Sequence, residues 1–414
     1  MRVLVVGGGA REHALCWRLS VHCEKLFCAP GNGGTCSLAE NVAIEADDIE
    51  NLLRFALDNS IDLTVVGPEA PLCLGIVDRF QQAGLKIVGP TQKAARLEGD
   101  KAFTKQLLDR YHLPTASAKV FSDCSEAKVY LSQTTFPRVI KANGLAGGKG
   151  TWIVHHLREA CEIVDRLMRE KILGAAGETI LIEEFLQGEE FSLHLLVSGK
   201  QFVILPLVRD YKRLENRDQG PNTGGMGACG PWDDFSEEKL EAAIVESLLD
   251  ALEEEKIHYQ GVLYVGLMKT AEGLKILELN CRFGDPEILV LAQILSGNWL
   301  EVFQNLAQGK LMEKDFLQVQ GFGVAVVKAI KGYPSLSQKE QLIALKEEVE
   351  GVKIFHAGTC QKQGKLLTRG GRVLALSAWD MTKKGAKMKV DTLSDERNFD
   401  DEIYRSDIAA DWLG

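Results

Sequence analysis

The chain has 414 residues, 45% of them hydrophobic, and a formal charge of −10. That composition is ample for packed cores and argues against a disordered chain, and the length predicts about two to four domains at roughly 150 residues each. The acidic balance, without a basic stripe, argues against broad nucleic-acid binding. The ten cysteines contain no C-x-x-C pair and no zinc spacing, so they read as small, reduced, buried residues. No signal-like leader and no apolar run of membrane length is found, which predicts a cytoplasmic protein with no membrane partner.

VLVV at 3–6 reads as a buried parallel strand, followed by Gly7, Gly8 and Gly9 and then by helical spacing over 10–19. Strand, glycine turn and helix begin a Rossmann-like unit, whose turn offers amides and a helix N-terminus to an anion. A dinucleotide is not the expected ligand. Glu12 stands where a third glycine would allow close packing, and the strand at 26–28 runs into Ala29-Pro30-Gly31 with no ribose-binding acid. A phosphate of another ligand is expected, with a purely structural turn as the alternative. Strands at 63–66 and 86–88, with helices near 47–59 and 71–83, predict a parallel sheet covered on both faces. Its glycine turns, including Gly67-Pro68-Glu69, fall at the C-terminal strand ends where such sheets bind ligands.

A helix is predicted over 100–111. A strand at 136–142 leads into NGLAGGKG at 143–150, and 151–155 returns as a strand. A glycine-rich loop between antiparallel strands can fold over a triphosphate, with its amides, Lys149 and Lys141 facing oxygens. It is not a Walker loop, and a simple hairpin tip is the alternative. After a helix at 157–172, strands at 179–186, 190–197 and 202–208 read as a small sheet lying over the loop like a lid. Acidic residues at its hinge either hold sugar hydroxyls or are simply solvated. DYKR at 210–213 and DQGPNTGGMG at 218–227 form a polar loop too rich for a linker. A long helix is predicted over 236–256.

A hairpin, 261–269 and 275–279, delivers ILELNCRFGDPE at 276–287. Alternation along a strand puts Glu278, Asn280 and Arg282 on one face and Leu277, Leu279 and Cys281 on the other. Glu278 and Asn280 offer oxygen ligands that suit a hard cation shared with substrate phosphates; a half-exposed strand with a polar face is the alternative. Helices follow at 288–295 and 300–306. Beyond about 314, strands at 323–328, 352–355, 365–368 and 372–377 predict a separate small domain. There Gly370-Gly371-Arg372 either reaches back to an anion or merely turns. No clear helix is read in 379–400, a helical tail is read over 401–413, and no internal repeat is found.

In order along the chain, VLVVGGGAREHAL, LTVVGPEAPL, EGDKAFTK, IKANGLAGGKG, IEEFLQGEE, DQGPNTGGMGA, LELNCRFGDPE and GGRVL closely resemble the phosphoribosylamine–glycine ligase family. These glycinamide ribonucleotide synthetases are ATP-grasp enzymes of purine biosynthesis. The resemblance implies an α/β protein of three parts. A Rossmann-like parallel-sheet substrate domain would span 1–98. A central ATP-grasp α+β domain would span 99–315, with a small lid at about 116–186. A small mixed α/β, β-rich domain would span 316–414. The implied reaction joins glycine to 5-phosphoribosylamine, with ATP giving ADP and phosphate through a glycyl phosphate. Such phosphoryl transfer needs positioning and charge neutralisation, and no Ser-His-Asp or Cys-His set is evident.

The resemblance also implies site roles. Arg282 and Lys141 would be the catalytic cations. Lys105, Lys141, Gly147, Gly148, Lys149 and Gly150 would meet the nucleotide phosphates, Glu183 and Leu186 the adenine, and Glu190 the ribose. Gly9, Arg11, Glu12, Gly67, Pro68 and Glu69 would meet phosphoribosylamine. Asn222, Thr223, Gly224 and Gly225 would line the glycine and acyl-phosphate site, with Asp285 and Arg372 also binding substrate. Glu278 and Asn280 would hold Mg²⁺ or Mn²⁺. The expected partners are small molecules alone, and the expected state is a monomer or weak dimer. The chain departs from the family pattern at Asn143, where Asp is usual, at Gly147 for Ala, and at Arg369 for Asn. Leu267 and Met268 stand where many ATP-grasp proteins carry an acid. Two other readings remain: a different ATP-grasp ligase or carboxylase, although no carrier domain is seen, and a nucleotide sensor without turnover.

Overall fold

The computed structural model describes residues 1–232, 240, 244–311, 317–335, 340–345 and 349–413. The N-terminal sheet has five parallel strands, β1 (Arg2–Gly7), β2 (Lys25–Pro30), β3 (Glu40–Asn41), β4 (Leu63–Val66) and β5 (Ile87–Val88), in the order β3-β2-β1-β4-β5. Val3, Leu4, Val5 and Val6 are wholly buried, as a strand covered on both faces requires. Alternation sends Val3 and Val5 into a core shared with helix α1 (Ala10–Ser20), and Leu4 and Val6 into one shared with Leu52 and Phe80. The helix expected over 71–83 is two, Glu69–Cys73 and Ile76–Gln82. Between them Gly75 takes a left-handed φ of 87°, which ends the first helix and starts the second.

Two antiparallel sheets follow. One has the order Ala118–Phe121, Ile180–Glu184, Arg138–Ala142, Thr151–Val154, and two helices, Cys124–Ser132 and Leu157–Met168, pack with it. The other has the order Gln201–Ile204, Glu189–Ser198, Gln260–Thr270, Gly273–Asn280. This corrects the expected lid. Of the three strands assigned to it, only Ile180–Glu184 belongs there. Every residue from Phe191 to Ser198 is buried, so that strand takes an interior place, paired over its full length with Gln260–Thr270.

Of the C-terminal strands, Lys365–Thr368 pairs only with Thr359–Lys362 in a two-stranded sheet, and the others do not form a sheet of their own. Phe322–Ile330, Arg372–Asp380 and Val352–His356 continue a sheet begun by Arg209–Asp210 and Gly227–Gly230. Two further expectations are corrected. The stretch without a clear helix contains Lys383–Ser394, capped where the Gly385 amide donates to Thr382 Oγ1 at 3.0 Å. Its four lysines and Gly385 mask an apolar line of Ala386, Val390 and Leu393, all buried. The tail is not a long helix. Glu402–Ile403 pairs with Phe322–Ile330, and of the tail only Ala410–Leu413 is helical, as a 3₁₀ segment. Of the helix expected over 236–256, Glu246–Glu254 is observed; residues 236–239 and 241–243 lie outside the described residues. Among the described residues, no helix is long and apolar enough to cross a membrane.

Candidate active site

A cleft of about 640 Å³ lies where the three parts meet. One wall of the cleft starts from two lysines. Lys141 rides on Arg138–Ala142 and Lys105 on the helix Lys101–Arg110, and both are buried. Glu183, on the neighbouring strand, stands between them, with Lys141 Nζ at 2.9 Å from one carboxylate oxygen and Lys105 Nζ at 3.3 Å from the other. Burial opposes ionisation of Glu183, but the Lys141 and Lys105 ammoniums outweigh it and hold the carboxyl below its ordinary range. Lys105 Nζ also donates to Thr115 Oγ1 and Ala116 O, and Lys141 Nζ to Leu277 O. Both ammoniums therefore have fixed positions before any ligand arrives.

The glycine-rich loop covers this wall. Gly147, Gly148 and Gly150 line the cleft, and Lys149 does not. Gly148 has φ 76°, and a Cβ there would lie 2.9 Å from Gly224 Cα. Only glycine lets this loop close onto the loop at 222–225. Asn143 Oδ1 accepts the Ala102 amide at 2.7 Å, so this departure from the family pattern helps to anchor the first turn of helix Lys101–Arg110.

Glu278 and Asn280 stand side by side at the end of Gly273–Asn280. With its amide oxygen and nitrogen exchanged, the orientation its neighbours favour, the Asn280 NH₂ donates to Leu279 O at 3.2 Å and to Glu98 Oε1 at 3.1 Å. Its Oδ1 then faces Glu278 Oε1, with 3.4 Å between the two side-chain ends. Burial opposes the charge on Glu278, but Lys212, Lys141, Lys101 and Arg282 hold its pKa to about 2. An ionised carboxylate and an amide oxygen converging on one point fit a hard divalent cation whose shell is completed by phosphate oxygens. No cluster of three or more His, Cys, Asp or Glu suited to a metal occurs among the described residues.

Arg282 continues this line but is already engaged. It donates to Glu98 Oε1 at 2.7 Å, Glu69 Oε2 at 3.3 Å and Phe283 O at 3.2 Å. Glu69 is held at about 2, burial being outweighed by Arg282 and Arg11. Glu98 is pushed up to about 7 by burial, although Arg282 and the Cys281 amide both donate to it.

The glycine turn is less open than its motif suggests. Glu12 accepts the Gly9 amide at 2.5 Å and pairs with Arg11 at 2.7 Å. The anion at the start of α1 is thus the chain's own carboxylate. Arg11 and Glu69 line the cleft, whereas Gly9, Glu12, Gly67 and Pro68 do not. Asn32, in the glycine turn after the second strand, donates to Gly8 O, Gly9 O and His356 O, tying the first turn to the C-terminal strands.

From the far side, Arg372 does reach back. It donates to Gly224 O at 2.6 Å and Asp285 O at 2.9 Å, and pairs with Asp285 Oδ2 at 3.2 Å. The Gly224 amide donates to Tyr333 Oη at 3.0 Å, and Thr223 Oγ1 to Lys212 O at 2.8 Å. Leu186, Glu190, Asn222, Thr223, Gly224, Asp285 and Arg372 all line the cleft; Gly225 does not.

Several lining residues carried no role in the motif reading: Glu98, Lys101, Asp210, Lys212, Tyr264 and Glu287. Lys212 bridges Glu190 and Glu278. Burial opposes its charge, but the surrounding carboxylates, Glu190 foremost, hold its pKa well above the ordinary lysine value. The available signal was position: Asp210 and Lys212 stand in DYKR, and Glu98 and Lys101 in EGDK, each inside a polar segment flanking a motif.

Three family models match in succession: the N domain of phosphoribosylglycinamide synthetase over 1–98, its ATP-grasp (A) domain over 99–288, and its C domain over 323–411. The phosphoribosylamine–glycine ligase of Caldanaerobacter subterraneus is 44% identical, over 99% of this chain and 100% of its own length. The human trifunctional purine biosynthetic protein adenosine-3 is 42% identical over 98% of this chain, which spans 41% of that longer protein. Among solved structures, the phosphoribosylamine–glycine ligase of Thermotoga maritima superposes with a TM-score of 0.87 at 36% identity, over 99% of this chain and all of that one. A biotin carboxylase domain from Hydrogenobacter thermophilus superposes with a TM-score of 0.76 at 16% identity, covering 97% and 91%, a likeness of fold alone. Matched by family models over most of its length, the chain belongs to the phosphoribosylglycinamide synthetase family.

Proposed function

We propose that this protein is the ATP-dependent ligase that joins glycine to 5-phosphoribosylamine, giving glycinamide ribonucleotide, ADP and phosphate in purine biosynthesis. The observation that carries this reading is one cleft holding buried Lys105 and Lys141 opposite the paired oxygens of Glu278 and Asn280, in a chain of this family. A carboxylate acylates poorly. Phosphorylation of glycine makes an acyl phosphate, which the sugar amine attacks with loss of phosphate. The protein's task is to place the reactants and balance charge. In this reading Lys105 and Lys141 meet phosphate oxygens, with Gly147, Gly148 and Gly150 closing over them. Leu186 and the segment after Glu183 would take the adenine, and Glu190 the ribose.

Glu278 and Asn280 would hold Mg²⁺ or Mn²⁺, which, when bound, neutralises charge on the phosphate oxygens. Arg282, held between Glu98 and Glu69, borders the reacting phosphate from the side of Arg11, where phosphoribosylamine would enter. Asn222 to Gly225, Asp285 and Arg372 would enclose glycine. The proposed division is 1–98, 99–315 and 316–414. A cytoplasmic monomer or weak dimer acting on small molecules alone completes the reading.

The test is ADP release from purified protein with Mg-ATP, adding glycine and fresh phosphoribosylamine singly and together. Release that needs both, yields a product of glycinamide ribonucleotide mass and collapses in Glu278→Ala is expected. Release with another carboxylate or amine would move the substrate assignment. Nucleotide binding without turnover would favour a sensor.

A further inference from the structure

The hairpin of Arg213–Glu215 and Gln219–Asn222 borders the cleft, with Arg213, Asp218 and Asn222 in its lining. It has little core of its own. Gln219, Gly220 and Pro221 are exposed, and a two-stranded hairpin alone is marginally stable at best. At its tip Arg217 and Asp218 take left-handed φ angles of 57° and 52°. Two successive non-glycine residues in that region are costly and persist only where the surroundings fix them.

The fixing comes from the C-terminal tail, whose residues 405–409 do not line the cleft. Arg405 is 1% exposed. Its guanidinium donates to Asp218 Oδ1 at 2.7 Å and to Arg213 O at 3.1 Å, and forks onto both oxygens of Asp407 at 2.8 Å. Asp407 also accepts the Arg217 amide at 2.7 Å, and Ser406 and Asn216 exchange two hydrogen bonds. Burial opposes the charge on Asp407, but Arg405 outweighs it and holds the carboxyl below its ordinary range. The tail is itself anchored. Ile408 and Ala409 are wholly buried, the Ala409 amide donates to Tyr211 Oη at 3.0 Å, and Lys387 Nζ donates to Ser406 O at 3.1 Å.

We propose that Arg405 is a positioning residue for the reaction in the cleft: by gripping Arg213 and Asp218 it sets the place of Asn222 and the loop that follows, without touching substrate. This rests on the functional reading above, in which 222–225 enclose glycine. The path is short. Arg213, whose carbonyl Arg405 holds, is the ladder partner of Asn222. Next to Asn222, the Thr223 amide and hydroxyl both donate to Lys212 O at 2.8 Å. A buried guanidinium with fixed partners cannot shift without leaving charge unpaired, so the hairpin is held before any ligand arrives. Placement of this kind matters for rate, since a misplacement of about 1 Å caused far from the chemistry can cost about 10²-fold. Lys105 and Lys141 stand on other elements, Lys101–Arg110 and Arg138–Ala142, so the clamp serves the glycine side of the cleft and not the nucleotide side.

The experiment measures kcat and KM for glycine in the wild type and in Arg405→Met, at saturating Mg-ATP and phosphoribosylamine, with Kd for ADP measured in the absence of glycine. Methionine keeps an apolar stem and removes every donor. The expected result is a fall of about 10²-fold in kcat/KM for glycine, with Kd for ADP unmoved. An unmoved kcat/KM overturns the proposal, and so does an equal loss of ADP affinity, the mark of general loosening. Should Arg405→Met not fold, Asn216→Ala decides, because it removes two tail bonds at an exposed position outside the cleft lining. A rise of about threefold or more in KM for glycine, with Kd for ADP unmoved, then supports the proposal; a wild-type KM overturns it. Wild-type enzyme with no glycine-dependent ADP release overturns the functional reading and this inference together. Release in the wild type with an unmoved kcat/KM in the variant overturns this inference only.

Discussion

Glu183→Gln tests whether one carboxylate holds the two-lysine wall of the cleft together. Lys105 and Lys141 are 5% and 7% exposed, and each ammonium lies within 3.3 Å of a Glu183 oxygen. Glutamine keeps the shape and removes the charge. The ammoniums keep their hydrogen bonds to Thr115, Ala116 and Leu277 but lose the negative charge between them. Removing one member of a buried ionic cluster costs about 3–5 kcal/mol. At the denaturant slopes usual for folded domains, that is a fall of about 1–2 M in urea midpoint. Lys105, whose pKa burial already lowers, then escapes its unpaired charge by losing a proton, so its folded pKa lies further below the unfolded one. A base with a depressed folded pKa loses stability as pH falls and regains it as pH rises. The assay is urea denaturation of wild type and variant, followed by far-ultraviolet circular dichroism at pH 7 and pH 9.5. The variant should show the full deficit at pH 7 and a smaller one at pH 9.5. A wild-type midpoint at pH 7, or a deficit that grows with pH, would refute the reasoning.

Two further outcomes are expected. His13 Nδ1 accepts the His356 amide and His194 Nε2 accepts the Gly284 amide; burial foremost holds both pKa values near 3. Their folded pKa values are depressed, so below pH 6.5 the unfolded chain takes up protons that the folded chain does not. Wild type should therefore lose about 1.4 kcal/mol per pH unit more than His13→Asn as pH falls from 6.5 towards 3; identical slopes in paired urea titrations would count against a neutral His13. Glu98 accepts from the Cys281 amide, Arg282 and Asn280 and so orients the proposed metal-holding strand from outside it. Glu98→Gln should raise the Mg²⁺ concentration for half-maximal ADP release about 10–100-fold, with KM for glycine moving little; an unaltered Mg²⁺ dependence would leave Glu98 a purely structural group.

Strand and helix positions in the N-terminal sheet were legible because VLVV at 3–6 and LTVV at 63–66 are short apolar runs between glycine turns, and their burial on both faces follows from that pattern. The strand proposed to hold the metal shows its polar face for the matching reason: a period of two separates Glu278 and Asn280 from buried Leu279. Sheet membership was not. The strand Glu189–Ser198 reads equally well as lid or core, and only pairing with Gln260–Thr270 decides. The helix Lys383–Ser394 was hidden because its lysines carry the local signal, while the few apolar groups that seat it find their partners in the strands Phe322–Ile330 and Arg372–Asp380.

The same division runs through the site. Motif order along the chain determined the family and which residue types were on hand for phosphate, metal and sugar, because these chemistries demand glycine, lysine and carboxylate at short spacings. Which charge meets which was settled only by the tertiary structure. Glu183 stands between two lysines from different elements, Glu12 occupies the helix end its own turn prepares, and Arg282 is shared by Glu98 and Glu69. Asp210 is left without a donor. The physical reason is that electrostatic pairing depends on distance and burial in three dimensions. Residues from different elements of the chain set both, except at Glu12, which meets Gly9 three positions away, and for the rest no local pattern encodes them.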